Sequence, residues 1–450
     1  MRRHKHHTTG PVVHLSHKIA LDPTCEQEAY FKRACGTSRF TWNWALAEWN
    51  RQYEAGLQPT AYALKKAFNS IKYREYPWLE GMHRDAHAEP FSNLGKAWAR
   101  FFRNLKEGKK AHQPRFKKKG RCRDSFSVAN DKFSVKGKTV RLPIIGDVRM
   151  REELRFQGTI LGATVSRSSD RWFASLQVEM PLHKARRKRM GAGVEGADLG
   201  ITSAVVLSTG EEMKAPMPLR GLLRRLKIRS RDVSRKLETA KVAVGIKRGS
   251  PMPKGTRLPV SNNGKKTSSA LATLYYRIAN VRSDFTHKST NRLCRENQAV
   301  GIEDLNVAGM LRNEKLARAL SDVGFGQFRW QMQYKGILYG ARVVLADRWY
   351  PSSKRCSECG YIFDGLTLKD REWPCSHCGA HHDRNVNAAR NLKRLATGTA
   401  LPVASSAAMP STDVAHAVSG GKVTPVIYDF RPQEGSGQED GCAHFRAQLE

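Results

Sequence analysis

Four cysteines form the clearest chemical pattern in the chain. They stand in two Cys-x2-Cys pairs, Cys356 with Cys359 and Cys375 with Cys378, and fifteen residues separate the pairs. Thiolates at this spacing can surround one Zn²⁺ tetrahedrally, and four of them leave no coordination position open for water or substrate. The sequence therefore predicts one structural Zn²⁺, which stabilises a short loop-rich segment that could not build its own core.

Three acidic residues stand where predicted elements end or begin. Asp198 ends an apolar strand-like stretch, Glu303 follows the predicted strand 299–302, and Asp383 opens a segment typical of a helix N-terminus. Carboxylates at neighbouring strand ends can hold two Mg²⁺ ions, with Mn²⁺ as the alternative. Such a pair activates water and stabilises the leaving oxygen of a phosphodiester. An isolated strand-terminal acid is more often a cap or turn residue, so the hypothesis depends on the three acids together.

The charge of the chain indicates a polyanionic partner. Its 450 residues include 78 Lys and Arg against 41 Asp and Glu, a formal net charge of +37. Residues 397–450 have a net charge of −3, so the excess lies in the first 396 residues. A body this basic favours nucleic acid as partner over a merely solvated surface.

One basic run stands out within this excess. Residues 100–123 hold eleven Lys or Arg and a single acid. We expect phosphate contacts from this run and from the two basic residues before the first cysteine pair. The candidates are Arg115, Lys117, Lys118 and Lys119 in the run, and Lys354 and Arg355 before the cysteines.

The remaining composition narrows the class of protein. The chain has no run of about 18 apolar residues, so no transmembrane helix is expected. Its basic start is not followed by an apolar segment, which argues against a secretory signal. The other five cysteines are scattered, so a reduced cytoplasmic protein is predicted. His377, His381 and His382 are interpreted as surface or second-shell histidines rather than zinc ligands.

Hydrophobic periodicity predicts the elements that must position these residues. A strand over 11–24 ends at Thr24, which with Gln27 resembles a capping box. Helical spacing then continues to about 107, and its aromatic residues are expected to form a core. Period-two alternation over 125–180 predicts a small barrel or sandwich. The later predictions are a linker at 184–189, strands at 194–201, 204–207 and 299–302, helices at 218–240 and 269–297, a mobile loop at 245–268, and a mostly disordered tail at 397–450.

Together the motifs and their order resemble the TnpB family of insertion-sequence proteins, which is related to compact type V CRISPR effectors. The resemblance covers roughly residues 12–396. It rests on the stretches 196–201, 278–288, 301–307 and 383–389, on the segment 114–117 and on the four cysteines.

This resemblance implies an RNA-guided DNA endonuclease with a multidomain α/β fold. A RuvC-like (RNase H-like) nuclease domain with a zinc ribbon insert is expected beside a wedge β-barrel with an inserted helical recognition domain. The expected boundaries are wedge 1–28 and 125–190 (with the linker), helical recognition domain 29–124, nuclease 191–351 and 381–396, zinc ribbon 352–380, and tail 397–450.

The resemblance also assigns roles and partners. Asp198, Glu303 and Asp383 would be the metal ligands, and Asn385 stands where the common motif has a second Asp. Ala197 replaces the usual Ile before the first acid. The implied partners are a guide RNA from the 3′ end of the element and double-stranded target DNA, bound by a monomer. The adjacent DNA motif would be read as a duplex through Lys65, Lys66 and Asn69, and guide pairing would supply the remaining specificity.

Three other functions are compatible with parts of this pattern. An RNA-guided repressor would lack cleavage, which the three intact acids argue against. A true DNA transposase would join DNA at element ends, but the sequence has no His-hydrophobic-His motif with a helical tyrosine nucleophile. A compact CRISPR effector differs from TnpB only in its genomic neighbourhood.

Overall fold

The chain divides into two compact units, described from a computed structural model. The structure describes residues 10–253, 255–367, 369–398 and 427–429. The first unit runs to Pro181 and includes the strand Ile427–Asp429, and the second begins at Leu182. Of the tail predicted to be disordered, residues 399–426 and 430–450 lie outside the described residues.

Among the described residues up to Pro181, the first unit has a long strand, three α-helices and six further strands. Its helical part follows β1 directly, as the sequence predicts. A 3₁₀ turn, Pro77–Leu79, precedes the third helix. The elements are β1 (Val12–Asp22), α1 (Cys25–Glu54), α2 (Ala61–Glu75), α3 (Arg84–Lys106), β2 (Ser125–Ala129), β3 (Ser134–Lys136), β4 (Thr139–Leu142), β5 (Gly146–Met150), β6 (Thr159–Ser168) and β7 (Arg171–Pro181).

The strands of this unit form one sheet in the order β2-β6-β7-β1-β5-β4-β3, and Ile427–Asp429 adds to β1 in parallel. Phe126 near one end of this order and Val140 near the other lie in the same hydrophobic core, into which α1 inserts Phe31. Strands this far apart can share a core only if the sheet curls around it. The predicted capping box is confirmed, because Thr24 and Gln27 each accept a hydrogen bond from the other's backbone N–H.

The aromatic residues of the helical part mostly form its core, as predicted. Trp49 and Trp98 stack with ring centroids 5.2 Å apart, and Phe68 and Phe91 are completely buried between the three helices. Burial of this much aromatic surface stabilises helices whose polar faces remain in water.

The second unit contains the cysteines and the three acids. It carries a mixed sheet, a pair of long helices and a small two-stranded ribbon. Its elements are α4 (Leu182–Ala185), β8 (Gly193–Asp198), β9 (Val205–Leu207), β10 (Glu212–Met213), α5 (Pro218–Val242), α6 (Asn262–Glu296), β11 (Asn297–Glu303), α7 (Val307–Met310), α8 (Glu314–Val323), α9 (Phe325–Tyr339), β12 (Arg342–Ala346), β13 (Glu372–Pro374), β14 (His381–Asp383) and α10 (Arg384–Gly398).

The sheet of this unit has the order β10-β9-β8-β11-β12. Strands β8, β11 and β12 are parallel, whereas β9 runs antiparallel to both of its neighbours. One face packs against α6 and α9 through an apolar core that includes Val300, Leu293 and Met332. Helix α10 crosses β8 and β11. This arrangement brings the ends of β8, β11 and β14 into one part of the unit.

Two sequence predictions are corrected here. The mobile loop predicted over 245–268 is too long, because α6 begins at Asn262 with Ser261 as its N-cap. The first strand predicted over 194–201 ends at Asp198. None of the helices that the structure describes is both long and apolar enough to cross a membrane.

Candidate metal-dependent nuclease site

Asp198 and Glu303 are neighbours at the carboxyl ends of two adjacent parallel strands. In the register of β8 and β11, Ala197 lies opposite Ile302. The next pair along the strands is therefore Asp198 and Glu303, at a strand separation of about 4.8 Å. This register confirms the predicted strand before Glu303, whereas the strand before Asp198 is shorter than the predicted 194–201.

Asp383 lies where β14 passes into α10. Its Oδ1 accepts hydrogen bonds from the backbone N–H groups of Asn385 at 2.9 Å and Val386 at 2.8 Å. The carboxylate thus satisfies the first free donors of the helix, and its charge is favourable at a helix N-terminus. The predicted helix start is confirmed, while the second oxygen accepts no hydrogen bond among the described residues.

Two glycines let α10 approach the sheet closely enough to align these acids. A Cβ atom on Gly196 would overlap the carbonyl oxygen of Ala389, and one on Gly301 would overlap that of Leu392. Each glycine stands two residues before its acid. Each of these two strands therefore supplies a carboxylate and, two residues earlier, a glycine without a side chain. The helix that follows Asp383, α10, packs closely against these glycines.

The electrostatics of the site show that these carboxylates act on each other. Burial, followed by the negative charges of Glu303 and Asp383, raises the pKa of Asp198 to about 8. Burial also raises the pKa of Glu303, against the opposing effect of its hydrogen bond from Ser352. The Arg384 guanidinium lowers the pKa of both groups. Without a cation, the protein thus holds carboxylates in a place that disfavours their charged form.

The donor set of this site fits Mg²⁺. Carboxylate oxygens are the protein ligands that Mg²⁺ takes, and it keeps several waters besides. Among the described residues, the four cysteines are the only group of three or more metal-binding side chains close enough to hold one ion, so the three acids as they stand do not surround a single ion. Two-metal sites hold their ions about 3.5–4 Å apart.

The four cysteines come together as predicted. Their sulfur atoms all lie within 4.8 Å of one another, with Cys356 and Cys378 at 3.7 Å and Cys359 and Cys375 at 3.6 Å. Four sulfurs at about 2.3 Å from one Zn²⁺ would be about 3.8 Å apart, so the quartet fits a tetrahedral zinc ion.

Of the two interpretations given for His382, surface or second-shell residue, the structure favours the second. It is buried, with its Nε2 atom 3.0 Å from Sγ of Cys356. A ring nitrogen at this distance can donate to a thiolate, which is the second-shell role that the sequence left open.

The basic residues predicted to bind nucleic acid differ in their surroundings. Lys65, Lys66 and Asn69 are exposed on α2, although Asn69 accepts a hydrogen bond from Lys72. The backbone of the run near 115–117 is fixed to α1 by Asn43, whose side chain bonds both the N–H and the carbonyl of Lys117.

The side chains of this run differ in their exposure and contacts. Lys117 places its ammonium group 4.0 Å from the ring centroid of Trp42. Arg115, Lys118 and Lys119 are exposed. Near the cysteines, Arg355 is exposed, and Lys354 donates to the carbonyl of Asp364.

Sequence reasoning predicted a long basic helix at 218–240 but did not identify the cationic stripe that α5 carries on one face. The stripe consists of Arg220, Arg224, Lys227 and Arg231, whose side chains are all exposed and form no ion pair among the described residues. Residues at this spacing fall on one face of a helix, and the opposite face is buried through Leu219 and Leu226. Like charges three and four residues apart destabilise a helix, so the stripe suits binding to an anion. The regular spacing of the basic residues was the available signal.

Sequence reasoning also missed several residues that shape the acid site. Ser352 donates a 2.5 Å hydrogen bond to Oε1 of Glu303 across 49 positions of the chain, and no local pattern marks it. Asn387 and Asn391 on α10 hold the backbone near Ser352. Their spacing of four residues was a visible signal, because it places both on one face of the helix.

Three protein families match parts of the chain. The family described as "Helix-turn-helix domain" matches residues 13–58, which form β1 and α1 here. "Probable transposase" matches residues 175–314, and "Cas12f1-like, TNB domain" matches residues 325–392, which include the four cysteines.

Curated relatives align with most of the chain. A protein of Streptomyces pristinaespiralis named "Putative RNA-guided DNA endonuclease" is 36% identical over 394 residues, 86% of this chain and 90% of that protein. InsQ of Escherichia coli (strain K12), which has the same descriptive name, is 28% identical over 85% of this chain and 92% of its own.

A solved structure also aligns with the chain. The cryo-EM structure of a Cas12f1–sgRNA–target DNA complex covers 82% of this chain and 83% of its own, at 12% identity and a TM-score of 0.46. At that level the likeness carries no argument about function.

Proposed function

We propose, from the premise that this chain belongs to the TnpB family of RNA-guided DNA endonucleases, that it cleaves double-stranded DNA beside a short motif. A guide RNA from the 3′ end of its own insertion sequence would direct the cut. The single observation that carries the proposal is the convergence of β8, β11 and α10. Asp198 and Glu303 lie beside each other on adjacent strands. Helix α10, which Asp383 precedes, packs directly against Gly196 and Gly301 of those strands.

The strand order of the second unit supports a RuvC-type, RNase H-like nuclease. Three strands, β10, β9 and β8, run as an antiparallel series, and β11 and β12 then extend β8 in parallel. Asp198 and Glu303 occupy the carboxyl ends of two adjacent parallel strands, β8 and β11, where side chains from neighbouring strands project beside one another.

The residues of the site have distinct tasks in the proposed hydrolysis. Asp198, Glu303 and Asp383 would hold two Mg²⁺ ions, which supply an activated water and stabilise the leaving oxygen when bound. Burial of Asp198 keeps bulk water away from its carboxylate. The Arg384 guanidinium, whose charge acts on Asp198 and Glu303, would interact with the phosphodiester anion.

The remaining parts of the chain would bind and position the nucleic acids. We assign a structural Zn²⁺ to the cysteine quartet, and a wedge β-barrel with an inserted helical recognition domain to the first unit. Lys65, Lys66 and Asn69 would read the adjacent motif, and Arg115, Lys118 and Lys119 would bind phosphates. The protein would act as a monomer, which light scattering of the RNA-bound protein tests.

The deciding experiment begins with the gene expressed together with several hundred bases of its downstream DNA. RNA that copurifies with the protein is sequenced, and the target that it names is offered as a plasmid with Mg²⁺. We expect one dominant RNA that maps to the 3′ end of the element and cleavage that Asp198→Ala abolishes without loss of the RNA. Cleavage by Asp198→Ala contradicts the assignment of the nuclease site.

The same experiment separates the alternative functions. Guided DNA binding without cleavage by the wild type identifies a repressor. Unrelated cellular RNA that moderate salt removes identifies general polyanion binding. A guide transcribed from a neighbouring repeat array identifies a CRISPR effector.

A further inference from the structure

Two buried asparagines of α10 hold the chain segment that leads into the cysteine quartet. Asn387 donates to the carbonyl of Arg355 at 2.7 Å and accepts from the N–H of Ser357 at 2.8 Å. Asn391 donates to the carbonyls of Ser352 at 2.8 Å and Arg355 at 2.5 Å. Both side chains are only 1% exposed. Buried amides with this many partners fix a backbone firmly, because breaking any of these bonds leaves polar atoms unsatisfied.

The segment between these bonds contains Ser352, whose hydroxyl donates to Oε1 of Glu303 at 2.5 Å. Ser352 is buried, at 5% exposure. Its hydroxyl therefore has little freedom to turn away while Asn391 holds its carbonyl oxygen. The position of Glu303 depends in this way on a loop that lies between β12 and the first cysteine pair.

The same loop runs directly into the proposed zinc ligands. Arg355, whose carbonyl both asparagines bind, precedes Cys356, and the N–H of Ser357, bound by Asn387, follows it. A continuous set of hydrogen bonds made by the buried side chains of Asn387, Asn391 and Ser352 thus connects the backbone around Cys356 with the carboxylate of Glu303. Without a metal ion, nothing holds the four sulfur atoms together, so the backbone around Cys356 would lose its fixed position.

We propose that Ser352 is a positioning residue for Glu303, and that the metal-bound cysteine quartet fixes it through Asn387 and Asn391. Occupancy of the structural zinc site thereby raises the affinity of the acid site for divalent cations. This inference rests on the proposed function, because it takes Asp198, Glu303 and Asp383 as the cation-binding acids. An outer partner of a metal ligand contributes about tenfold or more to metal affinity.

The test measures cation binding directly, so it does not depend on cleavage. Mn²⁺ binding to the RNA-bound full-length protein is followed by electron paramagnetic resonance, in which free Mn²⁺ gives the signal. We expect Ser352→Ala to raise the Mn²⁺ dissociation constant about tenfold. Ser353→Ala, the removal of a neighbouring hydroxyl, leaves it unchanged, and Ser352→Thr, which keeps the hydroxyl, restores most of the affinity. Equal affinity of Ser352→Ala and wild type overturns the inference.

The role of zinc is tested by removing it with a chelator selective for zinc, which is then dialysed away. Loss of zinc should raise the Mn²⁺ dissociation constant of the wild type about as much as Ser352→Ala does. In the Ser352→Ala variant, loss of zinc should raise the dissociation constant little further. An equal further loss in both proteins overturns the proposed connection, because the two effects would then be independent.

Asp198→Ala distinguishes failure of this inference from failure of the proposed function. If Asp198→Ala loses Mn²⁺ binding while Ser352→Ala keeps it, the positioning role of Ser352 is wrong and the assignment of the acid site stands. If Asp198→Ala binds Mn²⁺ as the wild type does, the acid site is not the cation site and both proposals fall.

Discussion

At the scale of single residues, Asp198 lowers the folding stability of the protein when no cation is bound beside it. Asp198 has a pKa of about 8 in the folded protein, against about 4 for an ordinary Asp, because it is buried beside other carboxylates. The folded chain therefore holds a proton that the unfolded chain has released. Between these two pH values, folding stability falls as pH rises. A cation bound beside Asp198 would offset this cost, because it would favour the charged form of the carboxylate in the folded protein.

Asp198→Asn should make the protein more stable in buffer without added Mg²⁺. The substitution keeps the shape of the side chain and removes its charge. The gain in melting temperature over wild type should grow from about pH 5 to about pH 8, since that is the window in which the wild type is penalised. Thermal unfolding at several pH values measures it.

Two comparisons make this prediction specific. Asp170→Asn, at an exposed acid in the turn between β6 and β7, should show no such trend. Addition of Mg²⁺ should stabilise the wild type and leave Asp198→Asn unaffected. A pH-independent difference between Asp198→Asn and wild type would contradict the electrostatic explanation.

The basic run in the first unit separates two kinds of lysine. Lys117 packs its ammonium group over Trp42, whereas Lys118 and Lys119 are exposed. Lys117→Gln should lower the melting temperature, because it removes a cation–π contact of about 0.5–1 kcal/mol or more. The double substitution of Lys118 and Lys119 by Gln should instead weaken RNA binding and leave the melting temperature unchanged. Filter binding and thermal unfolding of both variants measure the two effects, and a reversed pattern contradicts the assignment.

At the scale of elements, the glycines beneath α10 determine whether the acids meet. Gly196→Ala or Gly301→Ala would force the helix backbone away from the sheet, because the new methyl group meets a carbonyl oxygen rather than a flexible side chain. We expect each to destabilise the second unit by about 1–3 kcal/mol. Cleavage should fall more than RNA binding does, because Asp383 immediately precedes α10 and bonds its first turn.

Gly221→Ala is the matched control for this prediction. Gly221 lies within α5 with no atom near its prospective Cβ, so the change should be neutral or slightly stabilising. Denaturant unfolding and cleavage rates of the three variants test the explanation. Wild-type stability in Gly196→Ala would mean that α10 does not rest on β8 as described.

The elements also show how much of the structure and of the candidate site could be predicted from the sequence. Cys356 and its partners, the capped start of α1 and the strand ends at Asp198 and Glu303 could be predicted, because each is marked by residues adjacent in the chain. Ser352 could not be predicted, because its function arises from a contact 49 positions away. The start of α6 was missed since its first turns are polar and exposed, which removes the periodic signal.

At the scale of the whole molecule, the charge of +37 predicts how binding responds to salt. Cationic side chains that neutralise phosphates release bound counterions, so the logarithm of the association constant falls linearly with the logarithm of salt concentration. The slope counts contacts, at about 0.9 per phosphate for a duplex. A change in this salt slope therefore distinguishes a surface that contacts phosphates from one that contributes only to the overall positive charge.

The cationic stripe on α5 is the surface where this test is sharpest. Replacing Arg224 and Arg231 by Gln removes two charges from the face opposite the buried Leu226. If the stripe binds phosphates, the salt slope should fall by about two, with weaker binding at low salt. Replacing Arg225 and Arg229 removes the same charge from a different face of the same helix and should leave the slope nearly unchanged. Equal slopes for the two double variants would mean that α5 contributes only to the general field of the molecule and contacts no phosphate.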